Sequence, residues 1–134
     1  MSIETDTART VTGGPEHPNS WVFFNGEFRR YHDARLGLMT HALHYGTGVF
    51  EGIRAYWNGA REQLFLLHAP DHYNRLRRSG KIMKMTLPHS PEDLVKLTLE
   101  LLRRNDYRTD TYVRPLLFKS SEVIGEHKIT IKVG

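Results

Sequence analysis

Arg75 and Arg114 are the side chains whose sequence surroundings most directly suggest chemistry. Arg75 falls within the first turn and a half of the helix that Pro70 opens, off the face that Tyr73, Leu76, Gly80 and Met83 would pack. A guanidinium near the positive end of a helix dipole suits phosphate, although a solvated helical arginine is the commoner outcome. Arg114 interrupts the otherwise apolar run Tyr112-Val113-Arg114-Pro115-Leu116-Leu117-Phe118, with Tyr112 on the same face by the two-residue period of a strand. A charge so placed needs a partner. An internal carboxylate such as Glu51 would serve, and so would a ligand carboxylate gripped beside the Tyr112 hydroxyl.

His41 and His44, and His68 and His72, are spaced so that each pair could share one metal ion. Pro70 interrupts the second pair, no HExxH pattern exists and no third ligand is specified, so hydrogen bonding is the expected role of all four and no metal is expected. Tyr45-Gly46-Thr47-Gly48 is rich in glycine, but neither GxGxxG nor GxxxxGK[ST] occurs. A tight turn leading into a strand accounts for it equally well.

The elements that must position these groups can be read from pattern. Trp21-Val22-Phe23-Phe24 and Glu27-Phe28-Arg29-Arg30-Tyr31 flank Asn25-Gly26, a hairpin signal because that pair tolerates positive φ. A strand over 48–56 ends at Asn58-Gly59 and is followed by an apolar run from Gln63 to Leu67, a second hairpin. Pro70 and Asp71 open one helix. Ser90-Pro91-Glu92-Asp93 starts another, with Ser as N-cap and Arg103 and Arg104 where a helix end favours cations. Strands over 112–118 and 128–133 complete the chain. With about six strands and two consecutive helices, the expected fold is α+β: two layers, a mostly antiparallel sheet and two amphipathic helices on one face. Residues 1–19 lack periodicity and are expected to be a flexible tail, leaving 20–134 as a single domain.

Composition narrows the function classes. The absence of cysteine excludes disulfides, thiolate metal sites and cysteine catalysis. Apolar runs such as Leu64 to Leu67 fall far short of the roughly 20 residues of a membrane span, and Met1 to Ser20 has no signal-peptide core, so a cytoplasmic protein is expected. The pI of 9.5 raises nucleic acid as a partner. Arg29-Arg30, Arg77-Arg78 and Arg103-Arg104, however, fall in three separate elements with no contiguous patch, so no nucleic-acid partner is expected.

Taken together, several segments resemble one family. The run from His41 through Tyr45-Gly46-Thr47-Gly48-Val49-Phe50-Glu51-Gly52-Ile53-Arg54-Ala55-Tyr56 resembles a signature near the start of branched-chain amino-acid aminotransferases. Tyr112-Val113-Arg114-Pro115, Trp21 to Gly26, and His72-Tyr73-Asn74-Arg75-Leu76 with Ser79-Gly80-Lys81 resemble further landmarks in the same order. The resemblance implies a class IV pyridoxal-phosphate aminotransferase of the D-amino-acid-aminotransferase-like fold, which passes an amino group between Leu, Ile or Val and 2-oxoglutarate. By that resemblance Arg75 matches the arginine that binds the cofactor phosphate. Phe50 and Gly52 match positions lining the side-chain pocket, Tyr112 and Arg114 match residues that recognise substrate carboxylates, and Tyr45 matches a pocket tyrosine lent across the dimer.

Family members run to roughly twice this length, as two domains require, and their lysine that joins the cofactor covalently lies in the second half. Lys81, Lys84, Lys96, Lys119, Lys128 and Lys132 do not match that position, so the resemblance implies a small N-terminal domain with no catalytic residue of its own, inactive alone. After Glu122-Val123-Ile124-Gly125 the chain departs from the family pattern. Glu126-His127 leads almost directly into the last strand, as in an engineered or isolated domain. Two alternatives stand beside this reading: a self-associating module that binds no ligand, or the small domain of a D-amino-acid aminotransferase or aminodeoxychorismate lyase.

Overall fold

A computed structural model describes residues 19–122 and the strand at 131–133. The chain opens with β1 (Trp21–Phe24) and β2 (Glu27–Arg30), an antiparallel pair in which Phe24 faces Glu27 across Asn25 and Gly26. Both turn residues have positive φ, 53° and 82°, the conformation that this pair of residue types tolerates. The expected tail lies outside the described residues except for Asn19, whose carbonyl accepts from Arg30 Nη1 at 2.7 Å.

The middle of the chain builds a second, larger ribbon. Its strands are β3 (Gly48–Phe50), β4 (Ile53–Asn58), β5 (Gln63–Leu66), β6 (Thr111–Val113), β7 (Leu116–Lys119) and β8 (Ile131–Val133), all paired antiparallel. The fold is α+β as expected, but among the described residues eight strands replace the anticipated six because two of the runs are interrupted. The run over 48–56 breaks at Glu51-Gly52 and the run over 112–118 breaks at Arg114-Pro115. One cause serves for both. Phe50 faces Leu116 and Ile53 faces Val113, so the register passes through the gap with no residue inserted on either side. Glu51 N–H donates to the Pro115 carbonyl at 3.1 Å, but Pro115 has no N–H to return, and the ladder lapses there. The lapse leaves two three-stranded sheets along one register, ordered β5–β4–β6 and β3–β7–β8. Of the last expected strand, 128–133, residues 128–130 lie outside the described residues.

The second hairpin closes differently from the first. Asn58 pairs with Gln63, Asn58 Oδ1 accepts from Arg61 N at 3.0 Å, and the positive φ falls on Glu62 rather than on Gly59. A short helix that sequence periodicity did not reveal, α1 (His41–Tyr45), precedes β3, and Gly46 at φ 64° caps it. The glycines of Tyr45-Gly46-Thr47-Gly48 therefore end a helix and admit a strand.

Two long helices cover one face of the ribbon. α2 (Ala69–Ile82) buries Ala69, Tyr73, Leu76 and Gly80. α3 (Pro91–Asn105) buries Pro91, Leu94, Thr98 and Leu102, and Ser90 Oγ accepts from Asp93 N at its N-cap. The core joins these faces to Ile53, Met85, Leu87 and Leu117. Buried hydroxyls are satisfied in series: Thr98 Oγ1 donates to the Leu94 carbonyl at 2.7 Å, so Tyr73 is the donor to Thr98. The first hairpin is clasped to α3 by Asn105, which accepts from Trp21 N–H at 2.8 Å and donates to the Trp21 carbonyl at 3.0 Å. Among the described residues no helix is long and apolar enough to cross a membrane.

Candidate functional site

Strand alternation sorts the site residues onto two faces. Along β3–β4, Glu51, Ile53 and Ala55 are buried toward the helices, whereas Phe50, Arg54 and Tyr56 are exposed on the other face. Along β6–β7, Val113 and Leu117 turn inward, and Tyr112, Arg114 and Leu116 turn outward.

Four of the six expected binding residues meet on the outward face. The Arg114 guanidinium carbon lies 4.1 Å from the centroid of the Phe50 ring, and Arg114 Nη2 donates to Tyr112 Oη at 2.8 Å. Tyr112 lies across Gly52. A Cβ on that glycine would stand 2.9 Å from Cζ and 3.0 Å from Cε2 of the ring, and closer still to the hydroxyl. Gly52 is thus the gap into which the tyrosine leans. Because Tyr112 Oη accepts from Arg114, its own hydrogen is free to donate outward, and Arg114 keeps Nε and Nη1 unengaged among the described residues. The result is a patch of converging donors beside an aromatic wall, with a guanidinium over a ring face adding cation–π attraction.

Arg114 does not pair with Glu51, one of the two partners its sequence position suggested. Glu51 lies opposite Pro115, so Arg114 and Glu51 fall on opposite faces of the ribbon. The Glu51 carboxylate, 6% exposed, is gripped from the helix side instead. Arg75 Nε donates to Oε1 at 2.7 Å and Nη2 to Oε2 at 2.6 Å, a two-pronged ion pair. His72 Nδ1 lies 2.8 Å from Oε2. An ionised carboxylate only accepts, so that nitrogen carries the hydrogen. The hydrogen bonds from Arg75 hold the Glu51 carboxyl below its ordinary value of 4.5 against desolvation by burial, with His72 assisting. The same contact raises Arg75 above its already high value.

Arg75 leaves the packed face of α2 as the helical periodicity predicts, with its side chain 61% exposed. Nη1 makes no hydrogen bond among the described residues, and the side chain borders a shallow groove with His68, Asp71, His72 and Arg78. A phosphate fits this donor set: one guanidinium edge is free, and the first turns of a 14-residue helix lie beside it. Tyr45 is the sixth expected residue. It is exposed on α1, its ring packs on His41 with centroids 4.5 Å apart, and it takes no part in the contacts that join Phe50, Tyr112 and Arg114.

Each of the four histidines singled out by spacing has a polar neighbour. His41 Nδ1 meets Thr47 Oγ1 at 2.8 Å, His44 Nε2 meets the Leu38 carbonyl at 2.9 Å, and His68 lies 3.6 Å from Asp71. Sequence reasoning missed Glu51 and His72 as partners of Arg75. A signal for them existed: Glu51 shares parity with Ile53 and Ala55, which points it at the helices, and His72 and Arg75 are one helical turn apart.

Comparison with known proteins adds to this geometry. Residues 48–131 match the family model for amino-transferase class IV. A probable branched-chain-amino-acid aminotransferase of Aquifex aeolicus (strain VF5) is 44% identical over 98 residues, which cover 73% of this chain and 32% of that protein. Among solved structures, the branched-chain aminotransferase of Thermoproteus uzoniensis with norvaline matches with a TM-score of 0.73 and 37% identity, over 81% of this chain and 37% of that one. The branched-chain amino acid aminotransferase of Thermobaculum terrenum in its PLP-bound holo-form matches with a TM-score of 0.73 and 30% identity, over 88% and 39%. The chain thus spans between 32% and 39% of the length of these relatives.

Proposed function

The chain belongs to the amino-transferase class IV family, and we propose that these residues form the small domain of a branched-chain amino-acid aminotransferase that supplies one wall of the substrate pocket and a phosphate-binding arginine. The observation that carries this reading is the convergence of Phe50, Gly52, Tyr112 and Arg114 on one exposed sheet face. Phe50 offers an apolar surface suited to the side chains of Leu, Ile and Val. Tyr112 and Arg114 offer donors to a carboxylate, so the same patch accepts the second carboxylate of glutamate or 2-oxoglutarate in the opposite half-reaction. Tyr45 is exposed and available to a neighbouring subunit's pocket.

Class IV aminotransferases use pyridoxal phosphate, which when bound supplies an electron sink for the substrate's Cα electrons. In this chain Arg75 would hold its phosphate through Nη1. Among the described residues Lys81, Lys84 and Lys96 are exposed and Lys119 is half-buried, and no side-chain partner engages any of them. None of the chain's lysines matches the position of the family's cofactor-joining lysine, so on this reading the chain by itself does not transaminate. The exposed side chains of Leu36, Leu38, Met39 and Leu43 around α1 support self-association.

The test is a titration of the isotope-labelled chain with 2-oxoglutarate, followed by nuclear magnetic resonance. The expected result is shift changes at Tyr112, Gly52 and Phe50 that vanish in Arg114→Ala, with no amino transfer from leucine in the presence of pyridoxal phosphate. Shifts confined to other surfaces, or steady turnover of leucine, would overturn the reading.

A further inference from the structure

We propose that Glu51 is a positioning residue for Arg75, fixing the Nε–Nη2 edge of the guanidinium so that Nη1 is presented to an anion beside the N-terminal turns of α2. The proposal rests on the reading of Arg75 as a phosphate ligand. Of the two partners, Glu51 is the fixed one. Its carboxylate is 6% exposed while Arg75 is 61% exposed, and its backbone N–H is tied to the Pro115 carbonyl within the ribbon. His72 donates to Oε2 from the third side, so the carboxylate is held by two side chains of α2 one helical turn apart. A largely exposed arginine without that anchor samples many rotamers, and ordering it on ligand binding costs affinity.

Charge and positioning predict opposite outcomes for the removal of Glu51. The carboxylate offsets the positive charge of Arg75, so if charge alone mattered, Glu51→Gln would bind phosphate more tightly. If positioning dominates, binding weakens, because a glutamine offers one acceptor where the two donors of Arg75 need two.

The experiment compares pyridoxine 5'-phosphate with pyridoxine, which lack the aldehyde and so report on the phosphate without covalent capture by surface lysines. Both are titrated into the wild-type chain, Glu51→Gln, Glu51→Asp, Arg75→Ala and the Glu51→Gln/Arg75→Ala double variant, while the Arg75 Nε–H resonance is followed. The expected result is a slowly exchanging Nε–H that is lost in Glu51→Gln, and about tenfold weaker binding of the phosphate form with pyridoxine unchanged. The double variant should be no weaker than Arg75→Ala, and Glu51→Asp should recover part of the loss. Tighter or unchanged phosphate binding in Glu51→Gln, or an equal loss for both ligands, overturns the proposal. Wild-type affinity in Arg75→Ala is a different failure: it removes the phosphate assignment itself and the positioning role with it. If Glu51→Gln loses its dispersed spectrum, Glu51→Asp carries the test, with the same direction and a smaller change.

Discussion

Glu51 shows how one buried carboxylate couples stability to pH. Its folded pKa is lowered, mainly by the hydrogen bonds from Arg75, so folding favours the ionised form. That stabilisation is complete above its ordinary value of 4.5 and is lost as pH falls through the lower folded value. The urea midpoint of the wild-type chain should therefore drop on acidification below about pH 5 more steeply than that of Glu51→Gln, which has no carboxyl to protonate. Parallel curves for the two proteins would show that the ion pair contributes nothing to acid sensitivity. The exit of Arg75 from the packed face of α2 was legible in the sequence, because helical periodicity alone determines it. The partner of Arg114 was not, because the face on which two residues of different strands meet depends on the register between them.

Helix α2 lies close enough to the ribbon that one glycine marks the contact. A Cβ on Gly80 would stand 2.6 Å from Leu117 Cδ2 and 3.4 Å from the Met85 carbonyl. Alanine is the better helix former by about 1 kcal/mol, but overpacking costs about 1–3 kcal/mol, so Gly80→Ala should lower the urea midpoint despite its propensity. On α3, where Ser90 caps from an exposed position, Ser90→Ala should cost about 1 kcal/mol in the same measurement. Both long helices and the Asn25-Gly26 hairpin were readable because each carries its own local start, stop or turn residue. Helix α1 was not: five residues are too few for a 3.6-residue period to repeat. The interruption at Arg114-Pro115 was written in the missing N–H of Pro115, yet its effect on Glu51 could be seen only once the two strands were paired.

For the whole molecule, the helices seal one side of the ribbon and leave the other open. Phe50, Tyr56, Phe65, Tyr112 and Leu116 are all at least two-fifths exposed there, and Leu38, at 82%, and Leu43 stand out near α1. Apolar exposure of this extent is more than isolated surface residues account for. Sedimentation should show a mass that rises with concentration, and Leu38→Asp with Leu43→Asp should suppress the rise. A monomer across the whole range would count against association through α1. The class of fold was legible because hydrophobic period and turn chemistry agree along the chain. The open face was not, because a strand facing solvent and a strand facing a partner carry the same alternation.

The unbroken register between β3–β4 and β6–β7 also limits how such a chain can vary over generations. Phe50, Glu51 and Gly52 are consecutive, and only their alternation sends the carboxylate to the helices and its neighbours to the open face. Losing or gaining one codon within 49–53 would swap the faces of everything on one side of the change, turning an acidic group onto the face of Tyr112 and Arg114 and an aromatic ring toward Arg75. Changes of two codons would preserve both faces. Length drift is therefore tolerable in the Gly59–Glu62 connection, where nothing alternates, and forbidden in single steps a few residues earlier.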